Sequence, residues 1–433
     1  MARGLLGPLL VLGLLVAAPA SLAKPGVPAG PFAGEDPALV EDLRGLVEAV
    51  SGADIYDCIQ EITTDAPYQY RVMGTPTHQM FIEKYGTVFT DRLGLKSQVV
   101  PFEEGAAGTA ESPIAGGANI IGVLPGKSLD KWVVLGGHHD TREATFGGGA
   151  LDNTSGICTV LEIATAMVEL KLQPEATMVF AWWDGEEWGL YGSRAFLADH
   201  SETKVLLGLA GDAPVEIVTA LSFDMVGLNY PAMNTWVQYG ETTEVMETAV
   251  LNLRTAPTVA ENFTLCPSYG CYKYEEYTQE QLDGFVNYQA LVREVSYGLL
   301  ELPEEHVWVY DDQYGRSDHV PFIAAGIPGM RVQGSHDEEF PHYHQPTDTI
   351  PGLIALAGSE ENLKAGFNTG ADVGAATMVY AALKGTVGTL GTDPLGLVGD
   401  ALPVSTELAV PGFEVVAIAA AAMVVAALVR RRA

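Results

Sequence analysis

The alternation of strand-like apolar runs with helical stretches constrains this chain more than any other feature. The runs are "SQVVPF", "NIIGVLPG", "KWVVLGGHHD", "ATMVFAWWD", "EIVTALSFDMVG" and "PGMRVQG". Around them, apolar residues recur with helical period at Pro37–Val50, Pro76–Leu93, Ser155–Lys171, Leu190–Asp199, Gln281–Leu300 and Ala365–Leu383. Strands alternating with helices predict an α/β fold. The expected form is a three-layer α/β/α sandwich, with a central mixed, mostly parallel sheet covered on both faces. With 433 residues and 48% hydrophobic content, the chain can bury one large core or two modest ones. One main domain is expected over residues 34–384. Within it, Asn229 to Arg316 shows few clear strands and many tyrosines (Tyr269, Tyr272, Tyr274, Tyr277, Tyr288). That stretch is expected to be either a lid or insert over the site or an ordinary aromatic-rich surface excursion.

Both ends carry targeting patterns. Residues 1–23 combine one arginine, an apolar run and a small-residue end at Ser21-Leu22-Ala23, the pattern of a secretory signal peptide cleaved before Lys24. Residues 385–410 are glycine-rich and read as a flexible linker. At 411–433, an apolar run from Val415 to Val429 precedes three arginines. As a helix it would reach only about 22 Å, a marginal span with a basic cytoplasmic end. Pro411-Gly412-Phe413, the apolar run and the arginines together resemble the archaeal PGF-type carboxy-terminal sorting signal. The resemblance implies cleavage near the tripeptide and transfer to a lipid; the alternative is a simple tail anchor. Both place the protein on the extracellular face of the cell membrane.

The formal charge of −32, from 55 acidic and 23 basic residues, argues against nucleic acid as a partner. Only ten of the basic residues are lysine, a balance that suits a salty exterior. Cys266 and Cys271 in "CPSYGC" are close enough for a local disulfide. Cys158, at the start of a helical pattern, is expected to be a buried thiol. No second close cysteine or histidine pair supports a zinc knuckle.

In such sheets, ligands gather where strands end. His138 and Asp140 follow "VVLGG", Asp152 lies in "GGGALDNTSG", and Glu186 and Glu187 follow "VFAWW". Asp224 follows "TALSF", and "HYHQPTDT" brings His342, His344 and Asp348. Singly, each has a plainer explanation: a satisfied polar residue, a solvated face, a helix cap. Together, five strand-end segments deliver carboxylates and imidazoles without a cysteine, a donor set that suits Zn²⁺ or a similar divalent ion. The donors exceed what one tetrahedral ion needs, which points to two ions sharing a carboxylate.

From "RVMGTPTHQMFIEKYGTVFTDRLGL" through "GGHHDT", "LDNTSG", "DGEEWGLYGS" and "SFDMVG" to "SDHVPFIAAGIP" and "HYHQPTDT", the chain resembles the co-catalytic two-zinc aminopeptidase family. Glutamate carboxypeptidases belong to that family, and glutaminyl cyclases are its relatives. The resemblance implies Zn²⁺, two per chain, with Asp152 bridging them. His138 and Asp224 would complete one ion, Glu187 and His344 the other. Glu186 would be the general base, and Asp140 would fix the His138 tautomer. His344 with Asp348 fits the family spacing, leaving His342 as a neighbour near the substrate path. Asp318 and His319 would lie beside the pocket. The family commonly has a cis peptide after the bridging aspartate, here Asp152–Asn153. The implied function is hydrolysis of N-terminal residues from peptide substrates by an exported, membrane-anchored enzyme. Two alternatives stay open: a glutaminyl cyclase-like transferase with one zinc, and a cell-surface ectodomain without catalysis. A basic pocket for acidic carboxy-terminal substrates is hard to build here, with Arg316 and Arg331 the nearby candidates.

Overall fold

Eight strands form the central sheet of this computed structural model. The structure describes residues 35–103, 116–142, 147–227, 251–260, 274–304, 306–312, 315–334 and 340–388, Phe263, and the backbone of 234–238 and 241–246. The signal-peptide and sorting-signal segments, the linker from 389 onward and the Cys266/Cys271 pair lie outside the described residues. Among the described residues, no helix is long and apolar enough to cross a membrane.

In chain order the strands are β1 (Lys96–Phe102), β2 (Gly117–Leu124), β3 (Ser128–His138), β4 (Ala176–Trp183), β5 (Glu216–Phe223), β6 (Asn234–Gln238), β7 (Glu241–Met246), β8 (Leu251–Thr255), β9 (Val307–Asp311) and β10 (Gly329–Gln333). The sheet order is β1-β2-β4-β3-β5-β10-β8-β9, and β6 pairs with β7 separately. Four of its seven pairings are parallel: β3 with β4, β3 with β5, β5 with β10, and β8 with β9. The sheet is therefore mixed and mostly parallel. All eight residues of β4 are buried, as a strand covered on both faces requires.

The helices are α1 (Pro37–Ala49), α2 (Gly52–Gln60), α3 (Pro76–Tyr85), α4 (Val88–Leu93), α5 (Gly156–Glu169), α6 (Tyr191–Ala198), α7 (Ser201–Leu207), α8 (Gln279–Arg293), α9 (Val320–Ala324), α10 (Ile350–Ala357) and α11 (Glu360–Lys384). Side chains alternate across the sheet, so neighbouring residues serve opposite layers. Trp132, Val134, Val179 and Trp183 pack with Phe196 of α6, Leu207 of α7 and Phe322 of α9. On the opposite face Phe180 and Trp182 meet Phe89 of α4, where α5 and α11 also pack on the sheet.

Four differences from the sequence reading have physical causes. The expected helix over Pro76–Leu93 breaks at Gly86, where a Cβ would meet Val99 Cγ2 at 2.6 Å and Ile82 O at 2.7 Å. The pattern read as Gln281–Leu300 begins at Gln279, behind a Thr278/Gln281 capping box, and gives way to a π-turn over Glu294–Leu299. The stretch from Asn229 to Arg316 is more than an excursion, because β8 and β9 from it complete the main sheet. Finally, Cys158 is not a buried thiol but bonds to Cys58, 100 residues away. Cys58 lies on the buried face of α2, which packs on α5, so only tertiary structure brings the two together.

Candidate metal centre

Of the sequence-selected residues, His138, Asp140, Glu186, Glu187 and Asp224 sit at or just beyond strand ends, whereas Asp152 and His344 come from the segments that lead into α5 and α10. His138 closes β3. Asp152 lies in the tight turn before α5, and Asn153 after it shows why that turn holds. Its side-chain Nδ2 donates to the Phe223 carbonyl at 2.7 Å, and its side-chain Oδ1 accepts the Gly156 N–H at 2.9 Å and the Met225 N–H at 3.2 Å. The Asp152–Asn153 peptide is cis. Glu186 and Glu187 follow β4 after Gly185, whose φ of 71° is the left-handed region that a residue without Cβ adopts most easily. Asp224 follows β5, and His344 comes from the loop ahead of α10.

Asp152 is the centre of the cluster. One carboxylate oxygen lies 3.4 Å from His138 Nε2 and the other 3.3 Å from His344 Nε2. Asp224 Oδ1 is 3.6 Å from His138 Nε2, and Glu187 Oε2 is 3.2 Å from His344 Nε2. Ligand atoms held about 2.0–2.1 Å from a tetrahedral ion lie about 3.3 Å from one another, so these spacings fit two such ions. Glu187 Oε1 is buried without a hydrogen-bond partner. The nitrogen and oxygen donor set suits zinc. Glu186 stands farther off, with Oε2 3.9 Å from His138 Nε2, although distance alone groups it with His138 and Asp224. His344 and Glu186 are the open side of the centre, with side chains 24% and 14% exposed against 6% for Asp152.

A supporting shell holds these groups. Asp140 is more than an orienter of His138. Its carboxylate lies 3.4 Å from Nδ1, which also donates to the Asp140 carbonyl at 3.1 Å. That same carboxylate accepts the backbone N–H groups of Glu186 (3.1 Å) and Glu187 (3.3 Å). Asp348 accepts the N–H groups of Leu151 (2.8 Å) and Asp152 (3.0 Å), fixing the turn rather than an imidazole. Arg331, a candidate for substrate recognition, is instead buried against Asp224 Oδ2 at 3.0 Å. Asp318 receives the Ser193 hydroxyl at 2.5 Å, and His319 pairs with Asp312 at 3.0 Å. His342 bonds Thr347 at 2.8 Å, apart from the cluster.

Sequence reasoning missed Arg71. Fully buried, it donates to the carbonyls of His139 (2.5 Å) and Tyr68 and to Thr154 Oγ1 (2.9 Å), tying together the segments on either side of the centre. A lone arginine before "VMGTP" carries no spacing signal that would reveal this.

The electrostatics are those of an anionic pocket around two imidazoles. Burial opposes charge on His138, but Glu186, Asp140, Asp152 and Asp224 drive its pKa well above the usual imidazole range. Burial likewise opposes charge on His344, and bonding to Asp152 and Glu187 lifts it to about 10. Burial and the Asp152 charge raise Glu187 to about 7. For Glu186, burial and the nearby Asp224, Glu187 and Asp318 charges raise the pKa well above the carboxylate range. So much negative charge gathered in a buried place calls for a cation.

Residues 119–266 and 287–359 match the model of Peptidase family M28. This chain belongs to that family. Among its relatives, leupeptin-inactivating enzyme 1 of Streptomyces exfoliatus is 30% identical over 221 residues, covering 51% of this chain and 36% of the relative. A probable leucine aminopeptidase of Arthroderma otae is 37% identical over 117 residues, covering 25% and 30%. The chain thus spans only about a third of the length of these curated relatives. In fold it is similar to BSAP, a zinc aminopeptidase from Bacillus subtilis, with a TM-score of 0.52 at 15% identity over 77% of this chain and 96% of that one. The LapA aminopeptidase of Legionella pneumophila gives 0.51 at 17% identity over 88% and 80%.

Proposed function

We propose that this M28 member is a zinc-dependent exopeptidase that removes N-terminal residues from peptides, using two zinc ions per chain. The observation that carries the reading is Asp152, whose two oxygens each face a different imidazole at 3.3–3.4 Å. In this reading His138, Asp152 and Asp224 hold one ion, and Asp152, Glu187 and His344 the other. Zinc bound there supplies Lewis-acid polarisation of the scissile carbonyl and lowers the pKa of water toward about 7. Glu186, beside this set but outside its spacing, takes the proton of the attacking water and delivers it to the leaving amine. Asp140 holds the His138 ring and both glutamate amides, so base and ligand keep their separation during the reaction.

The chain ends extend the proposal. The signal-peptide pattern of residues 1–23 and the Pro411-Gly412-Phe413 unit support export and anchoring at the outer face of a membrane, with peptides as the substrates met there.

Incubating the zinc-loaded protein with matched free and amino-blocked peptides tests the reading. Release of N-terminal residues from the free peptides alone is expected. Cleavage of the blocked peptides alone overturns the aminopeptidase assignment, and one tightly bound zinc with pyroglutamate formation assigns the chain to the cyclase reaction instead.

A further inference from the structure

Behind the turn that carries Glu186 and Glu187 lies a second buried cluster: His78, His139 and Asp184. Its geometry is not that of an ion site. The rings of His78 and His139 stack at 5.4 Å with only 17° between their planes, an arrangement of packed rings rather than of ligands set around an ion. His139 Nε2 donates to the Ala118 carbonyl at 3.0 Å. Both oxygens of the fully buried Asp184 are already engaged: Oδ1 lies 2.9 Å from His78 Nε2, and Oδ2 accepts the Ala118 N–H at 2.7 Å. The Gly74 amide donates to His78 Nδ1 at 3.3 Å, which leaves Nε2 as the nitrogen that gives its proton to Asp184.

Asp184 is the first residue of the turn. Its N–H donates to Asn119 Oδ1 at 3.1 Å, and its carbonyl accepts from Gly192 at 2.8 Å, across the whole loop. Gly185 follows, so closely packed that a Cβ would meet Met73 Sδ at 2.9 Å. The turn is therefore held twice. Asp140 grips the amides of Glu186 and Glu187 from the site side, and Asp184 anchors their stem from behind. His78 comes from α3, in a segment outside the stretches that match the family model.

We propose that His78 is a positioning residue for the Glu186–Glu187 turn, its Nε2–H holding the Asp184 carboxylate that sets the direction in which both glutamates leave β4. For its chemistry this rests on the exopeptidase reading, but its consequence for metal affinity stands apart from that reading. Without the imidazole donor, Asp184 is a buried carboxylate with one hydrogen bond. Such a group costs more than the lost bond itself, and it relaxes by rotating or taking up a proton. Either response moves the stem of the turn. A displacement near 1 Å costs roughly 10²-fold in rate, and loss of a partner behind a metal ligand costs roughly 10–100-fold in affinity.

The test titrates Zn²⁺ into the metal-free full-length protein and its His78→Ala and His78→Gln variants, then measures kcat and KM on a peptide the wild type cleaves. His78→Ala is expected to weaken the weaker zinc site about 10-fold or more. It should lower kcat roughly 10–100-fold while KM changes little. His78→Gln, whose amide can donate from near the Nε2 position, should recover most of both losses. If the alanine variant does not fold, His78→Met fills the space without a donor and takes its place. Unchanged zinc affinity in the variant without a donor overturns the proposal, and so does a glutamine variant as impaired as that one. If the wild type cleaves no peptide, the exopeptidase reading falls while the zinc titration still decides the role of His78.

Discussion

Glu186 and Glu187 are neighbours in sequence, yet their surroundings differ. Glu187 Oε2 sits 3.2 Å from His344, at ligand spacing, whereas Glu186 reaches only 3.9 Å from His138. Away from the centre, one buried carboxylate has consequences for stability instead. Glu162 of α5 accepts the Ser51 N–H at 2.9 Å and borders a cavity of about 450 Å³ shared with Asp54 and Glu169. Burial, with those two like charges, raises its pKa from 4.5 to about 7. A carboxylate raised in the folded state binds its proton more tightly there than in the unfolded chain. Its folded form therefore carries no penalty below pH 4.5, loses stability as pH rises toward 7, and bears the full cost above. Glu162→Gln, which keeps the acceptor for Ser51, should raise the melting temperature at pH 8 by about 2 °C or more and leave it unchanged near pH 4. Thermal scans at the two pH values check this, and equal shifts at both would refute the assignment.

Among the elements, α2 and α5 are joined covalently, and α5 begins four residues after Asp152. The Cys58–Cys158 bond thus braces the helix that starts at the centre against the N-terminal helices. Losing a bond that closes so long a loop should cost about 2–5 kcal/mol, toward the upper end of that range. Urea unfolding of the Cys58→Ser/Cys158→Ser double variant measures it, and an unchanged midpoint would show that the helices need no brace. These elements were unequally legible. The central strands could be read because burial on both faces makes them continuously apolar, and the helices of the α5 layer because their apolar period is long. Strands β8 and β9 hid in a tyrosine-rich stretch, since each is five residues long with polar or charged side chains that the sheet buries, such as Asn252 and Arg254. The disulfide was illegible because no local spacing records a contact 100 residues apart.

Across the whole molecule, parallel strand order places the ends of β3, β4 and β5 side by side, and the turn before α5 and the loop before α10 close around them. That is why strand-end residues could be chosen from sequence and found together: topology converts a linear pattern into a cluster. Arg71 and His78 could not be found in this way. They act through backbone carbonyls and a second carboxylate, partners that no residue spacing specifies. The proposed exopeptidase function requires a centre that holds two zinc ions while Glu186 moves protons and does not hold metal. Zinc content and turnover measured together on Glu186→Ala test it most directly. Two zinc ions per chain with turnover lowered about 10²–10⁴-fold is the expected result; near-wild-type turnover, or loss of zinc from that variant, would contradict it.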